Sequence, residues 1–116
     1  MQVKKLYHTV LKDGGITVTS RLVQVRKQAG FFVSLKNKGI VINLKDFTAD
    51  ELSRQINSLW ITLDQFIGVW VDKANEKVYI DISVWILDRE KAVQKGLTEG
   101  QIAIWDIEKG QEVYLK

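Results

Sequence analysis

The sequence predicts an α+β fold, an antiparallel sheet of six to eight strands carrying two helices, and three observations predict it. Short runs of β-branched and aromatic residues recur between turns that carry glycine or asparagine. Two stretches open on a capping residue and then repeat their apolar positions at helical spacing. The chain has 116 residues, of which 46% are apolar, which is material for one core and a single domain over residues 1 to 116.

Residues 4 to 12 and 16 to 20 are expected as two strands joined through Asp13, Gly14 and Gly15, the glycines supplying the positive φ of a tight hairpin. Residues 21 to 29 are ambiguous. Val23 and Val25 alternate with Gln24 and Arg26 as in a strand, whereas Leu22 is out of phase and residues 27 to 30 read as a loop. Residues 31 to 36 and 39 to 44 are expected as a second hairpin turning at Asn37, Lys38 and Gly39.

Thr48 to Glu51 fit a capping box, with Thr48 accepting from the first turn and Glu51 reaching back to the Thr48 amide. Leu52, Ile56 and Leu59 follow on one stripe, which predicts a helix over 48 to 60 lying on a sheet. Strands are expected over 66 to 72, 77 to 86, 101 to 107 and 112 to 115, paired as hairpins through residues 73 to 76 and 108 to 110. Between these pairs, Asp88 caps a helix over 88 to 99 and Gly100 stops it. Gly96 shares a face with Ala92 and permits a close approach of that helix to the sheet.

Composition removes several function classes. The absence of Cys excludes disulfides and thiolate chemistry, and one histidine, His8, is too few for a histidine metal centre or triad. No cofactor or bound metal is expected. The longest apolar run, residues 66 to 71, is far too short to span a bilayer, and the start of the chain lacks a secretory pattern. No membrane association and a cytoplasmic location, the host cytoplasm for a phage gene, are the expectations.

Strand alternation divides the second half into two faces. Ile67, Val69, Val71, Val78, Ile80, Ile82 and Val84 form an aliphatic face that must be core. Phe66, Gly68, Trp70, Tyr79, Asp81, Ser83 and Trp85 form the other, joined by Ala103 and Trp105. Indole and phenol rings combine a large apolar body with a hydrogen-bonding tip, so Trp70, Tyr79, Asp81, Trp85 and Trp105 are the candidate ligand or interface residues. Three readings stand: cover by the second helix through Ala92, Gly96 and Leu97, a subunit interface, or a ligand site. Asp81 falls in mid-strand, where a charge needs a partner, expected to be a Lys or Arg or the hydroxyls of Tyr79 or Ser83. Asp72 and Asp106 sit at expected turns and read as caps rather than as a hydrolytic pair with Asp81.

The segments Phe66 to Asp72, Val78 to Ser83, Asp88-Arg89-Glu90 with Ala92, and Gly100 to Asp106, together with Gly30 to Ser34, carry a family resemblance. Residues 30 to 116 resemble small uncharacterised proteins encoded by tailed phages and prophages. The resemblance implies an accessory role, with an anti-defence action as one form of it, and transfers no catalytic residue.

Charge is uneven along the chain. Residues 1 to 45 hold nine Lys or Arg against the single acid Asp13, and residues 46 to 116 hold eight against thirteen acids. Lys4, Lys5, Arg21, Arg26, Lys27 and Lys36 are therefore candidate anion-binding residues, or else charges that keep strand edges solvated. The expected function is a small non-enzymatic binding protein that blocks a host factor or an anionic small ligand. The alternative is a nucleic-acid-binding module built on the basic first half, and a carboxylate-dependent hydrolase is the third reading. Four tryptophans, Trp60, Trp70, Trp85 and Trp105, exceed what a core of this size readily takes, so a homodimer through an aromatic surface is also expected.

Overall fold

A computed structural model describes residues 2 to 36 and 38 to 115. The chain runs α1 (Val3–Asp13), β1 (Gly15–Thr19), β2 (Phe31–Ser34), β3 (Ile40–Asn43), α2 (Ala49–Asn57), β4 (Gln65–Asp72), β5 (Lys77–Ile86), α3 (Arg89–Thr98), β6 (Ala103–Asp106) and β7 (Gln111–Tyr114). The α+β reading holds, with three helices and one seven-stranded antiparallel sheet. Its order is β1-β4-β5-β2-β6-β7, and β3 also lies beside β5.

The first departure from expectation is residues 4 to 12, which are helix rather than strand. Val3, Leu6, Tyr7 and Val10 recur at helical spacing and turn inward, with Leu6 and Val10 fully buried, while Lys4, Lys5, His8 and Lys12 stay outside. Gly14 then takes φ 84° and donates its amide to the Val10 carbonyl at 2.9 Å, so it ends a helix instead of turning a hairpin. After β1 the chain bends at Leu22, φ 60°, and folds back so that Gln24 bridges Val18. Thr19 Oγ1 holds this bend by accepting from the Arg21 and Val23 amides, both at 3.2 Å.

The second departure is the hairpin expected between residues 31 and 44. β2 and β3 do not pair with each other. Phe31 to Ser34 lie against Ile86 to Ser83, and Ile40 to Asn43 lie against Ile80 to Lys77. They are two pieces of one interrupted strand along β5, which at ten residues is long enough to seat both. Between the two pieces only Asp81 and Ile82 of β5 fall outside both registers.

In α2, Thr48 caps as expected and accepts from the Glu51 amide at 3.1 Å. Glu51 does not complete the box. Its carboxylate takes hydrogen bonds from Gln55 at 2.8 Å and Arg54 at 2.7 Å, which hold it below the usual carboxylate range. The helix stops at Asn57, leaving Trp60 in the connection to β4. In α3, Asp88 accepts from the Lys91 amide at 2.9 Å and Gly100 closes the end at φ 69°. The β4–β5 and β6–β7 hairpins form as expected.

All three helices cover one face. Leu6, Val10 and Leu52 pack on Ile16, Val18, Ile67, Val69, Val78 and Ile80, and Ala92 packs on Phe31, Val33 and Ile104. These strand residues share one side of the sheet by register. A Cβ on Gly96 would meet Ile104 at 2.8 Å and Leu115 at 2.5 Å, so the close approach of α3 is real, but it is made to the aliphatic face. The first of the three readings of the aromatic face, cover by the second helix, fails for a simple reason: Ala92 and Gly96 fit the aliphatic side.

Candidate functional site

Among the described residues no helix lies on the opposite side of the sheet. By register it presents Thr17 and Thr19 from β1, Phe66, Gly68 and Trp70 from β4, and Tyr79, Asp81, Ser83 and Trp85 from β5. Phe32 and Ser34 of β2, Val41 of β3, Trp105 of β6 and Glu112 of β7 continue it. The sheet encloses a hollow of about 270 Å³ on this side, reaching from Thr17 on β1 to Glu112 on β7, with Phe32, Trp70 and Trp105 as its rings and Asp81 as its central charge. A more open hollow adjoins it across Trp70 and Asp81 and takes in Tyr79, Val41 and Gln101.

Asp81 sits on β5, half-buried, directly across from Gly68. Burial pushes its carboxyl up to about 6, against hydrogen bonds from the Gly68 amide and the Ser34 hydroxyl that pull it down. The expected Lys or Arg partner is not there: among the described residues, the ion pairs are Glu51 with Arg54 and Glu99 with Lys95. The hydroxyl that holds the Asp81 carboxyl down is that of Ser34, with no such effect from Tyr79 or Ser83. The interruption between β2 and β3 explains the selection, because Ser34 is the last paired residue before the gap that faces Asp81.

The four indoles have four different settings. Trp70 lies flat over Gly15 of the neighbouring strand, and its Nε1 overhangs Gly68, where only the missing side chains leave room. It is 41% exposed and Trp105 is 39% exposed, so both offer ring surface to solvent at the hollow. Trp85 is pinned. Its Nε1 donates to the Ala29 carbonyl at 2.9 Å, and Lys27 Nζ stands 4.3 Å from its ring centre, so it fastens the 20s loop and lies outside both hollows. Trp60 is 91% exposed in the α2–β4 connection. Of the four, Trp70 and Trp105 share the hollow, whereas Trp85 and Trp60 stand apart from it.

The candidate anion-binding residues are likewise not brought together. Lys4 and Lys5 lie on the outer side of α1, in the helical layer, whereas Lys27 lies on the opposite side of the sheet above Trp85. The side chain of Arg26 binds Gln24, Arg21 follows the β1 bend, and the Lys36 amide donates to Glu99. Among the described residues no basic side chain lines the aromatic hollow, and its charged residues are Asp81 and Glu112.

Asp72 and Asp106 are turn caps. Asp72 accepts from the amide and side chain of Asn75, and Asp106 accepts from the Lys109 amide at 3.2 Å. Among the described residues no three histidine or acidic side chains gather to hold a metal ion, and no helix is long and apolar enough to cross a membrane. The carboxylates of Asp81 and Glu112, the hydroxyls and the apolar walls suit holding a group in place.

Phe32, Ser34 and Glu112 join the site without having been singled out for it. The alternation Phe31-Phe32-Val33-Ser34 carries the signal for the first two, since each aliphatic or buried position is followed by one of opposite facing. Comparisons with protein-family models, with curated proteins and with solved structures find no match to this chain.

Proposed function

We propose that the protein acts by binding, taking a ligand or a side group of a partner into the hollow on the helix-free face of its sheet. The observation that carries this reading is Asp81: a half-buried carboxylate without a cationic partner, set among aromatic rings at the centre of a face that no helix covers. Charge in such a place costs stability, and groups perturbed in this way in a cleft concentrate at functional sites. The other acids weighed for hydrolysis are occupied as turn caps, which favours a non-enzymatic role. The phage resemblance of residues 30 to 116 fits an accessory protein whose action is to occupy a host factor.

A screen of small cationic, neutral and anionic fragments by nitrogen-15 NMR tests the reading. Shifts clustered at Trp70, Asp81, Ser34 and Trp105 are expected, and a screen in which no fragment moves these signals overturns it. A second reading rests on the exposed rings of Trp70, Tyr79, Trp105 and Tyr114, which suit apposition of this face to a second copy. Sedimentation velocity across micromolar concentrations decides it, a single species near 13.3 kDa ruling out the homodimer.

A further inference from the structure

We propose, resting on the binding reading above, that the group received by the hollow is an alkylammonium cation, with Asp81 as its counter-ion in the hollow that Phe32, Trp70 and Trp105 line.

Three features of the site converge on this chemistry. The walls include Phe32, Trp70 and Trp105, whose ring faces are electron-rich and attract a cation most strongly when water is displaced. The two charged groups on the lining, Asp81 and Glu112, are both acids, and the remaining polar groups, such as Ser34 and Thr17, are hydroxyls that accept hydrogen bonds from an ammonium. Asp81 is also short of exactly this partner, since its own hydrogen bonds come only from neutral donors, Gly68 and Ser34. Among the described residues of the lining, an anionic ligand would meet two carboxylates and no lysine or arginine.

The whole-molecule charge sharpens the inference. The formal net charge is +3, so the protein's general field repels cations and any cation retained must be held by local contacts. On the two linings the titratable groups besides Asp81 are Glu112 and Tyr79. Lys27 lies on the same side of the sheet but over Trp85, Lys36 and Lys38 lie in the break between β2 and β3 outside both linings, and the helices with their lysines lie behind the sheet. Burial raises the Asp81 carboxyl to about 6, so the anion that the cation needs develops between mildly acidic and neutral pH. An ammonium group reaches such a site either as a free amine or as a lysine side chain on a partner.

The test follows the indole N–H signals of Trp70 and Trp105 by NMR. The probes are butylammonium, a short peptide with a single lysine, the same peptide with that lysine acetylated, and glutarate. Saturable shifts with butylammonium or the lysine peptide, strengthening about tenfold from pH 5 to pH 7.5 as Asp81 ionises, are the expected result. Binding of the peptide far tighter than butylammonium assigns the source as a protein partner, and the reverse order assigns a free amine. Asp81→Asn should weaken the ammonium probes about tenfold or more, and Trp105→Ala, at an exposed position, should weaken them without loss of fold. Equal binding of the acetylated peptide, or binding of glutarate alone, overturns the cation assignment and leaves the binding reading standing. Silence from all four probes, together with a silent fragment screen, removes both.

Discussion

Gly68 and Asp81 face one another across β4 and β5, and the Asp81 carboxylate occupies the space that a Cβ on Gly68 would fill. The indole nitrogen of Trp70 overhangs the same spot. The missing side chain is thus the floor on which both the charge and one wall of the site rest. Gly68→Ala should push both groups outward, costing about 1–3 kcal/mol by overpacking. Denaturant unfolding reads the cost and the Trp70 indole signal reads the displacement, with an unmoved signal showing that the ring does not depend on Gly68.

Asp81 should make stability fall as pH rises. Its folded carboxyl holds a proton up to about 6, against 3.8 as the ordinary value, so the folded state binds the extra proton between these limits. That contribution is fully present below about pH 4 and is lost as pH climbs through 6. Asp81→Asn should flatten this slope and raise stability at pH 7.5 by roughly 1–3 kcal/mol, measured by urea unfolding at pH 4, 5, 6 and 7.5. A wild-type slope matched by the variant would assign the dependence elsewhere.

The helical first segment makes a sharp distinction between neighbours. Leu6 is fully buried and His8 is exposed, so Leu6→Ala should cost about 2–4 kcal/mol while His8→Ala stays within about 0.5 kcal/mol. Equal effects would contradict the helix, because a strand would put these two positions on one face.

Trp85 should matter for loop order and not for ligand. Trp85→Phe removes the bond to the Ala29 carbonyl and weakens the seat for Lys27, a loss of about 1–2 kcal/mol. Faster amide exchange is expected at Ile107, whose amide donates to the Gly30 carbonyl at 3.0 Å, with unchanged shifts of Trp70 and Trp105 on adding butylammonium. Lost butylammonium binding would place Trp85 inside the site.

Legibility in the sequence follows how local each determinant is. The β4–β5 hairpin and the caps at Thr48 and Asp88 were readable because alternation, turn residues and capping chemistry all lie within a few residues of one another. Residues 4 to 12 were misread because Val3, Tyr7 and Val10 are good strand formers, and their spacing, not their type, carries the helix. β2 and β3 look like a hairpin until the length of β5 is known, and that strand lies more than thirty residues away. The facing of Trp70, Tyr79, Asp81 and Trp105 followed from alternation, whereas the anchoring of Trp85 depends on the carbonyl of Ala29, 56 positions earlier. The missing cation beside Asp81 is of the same kind, a fact about which strands come together.

The break between β2 and β3 separates two things that most sheets tie together. Each half-strand is registered on its own stretch of β5, so residues gained or lost in the break shift neither ladder. The break also faces Asp81, with Leu35 and Gly39 lining the open hollow beside it. Variation in loop length there can reshape one rim of the hollow while the scaffold stays as it is. A lineage under pressure to change what it holds has, at this point, a place where insertions and deletions are structurally cheap.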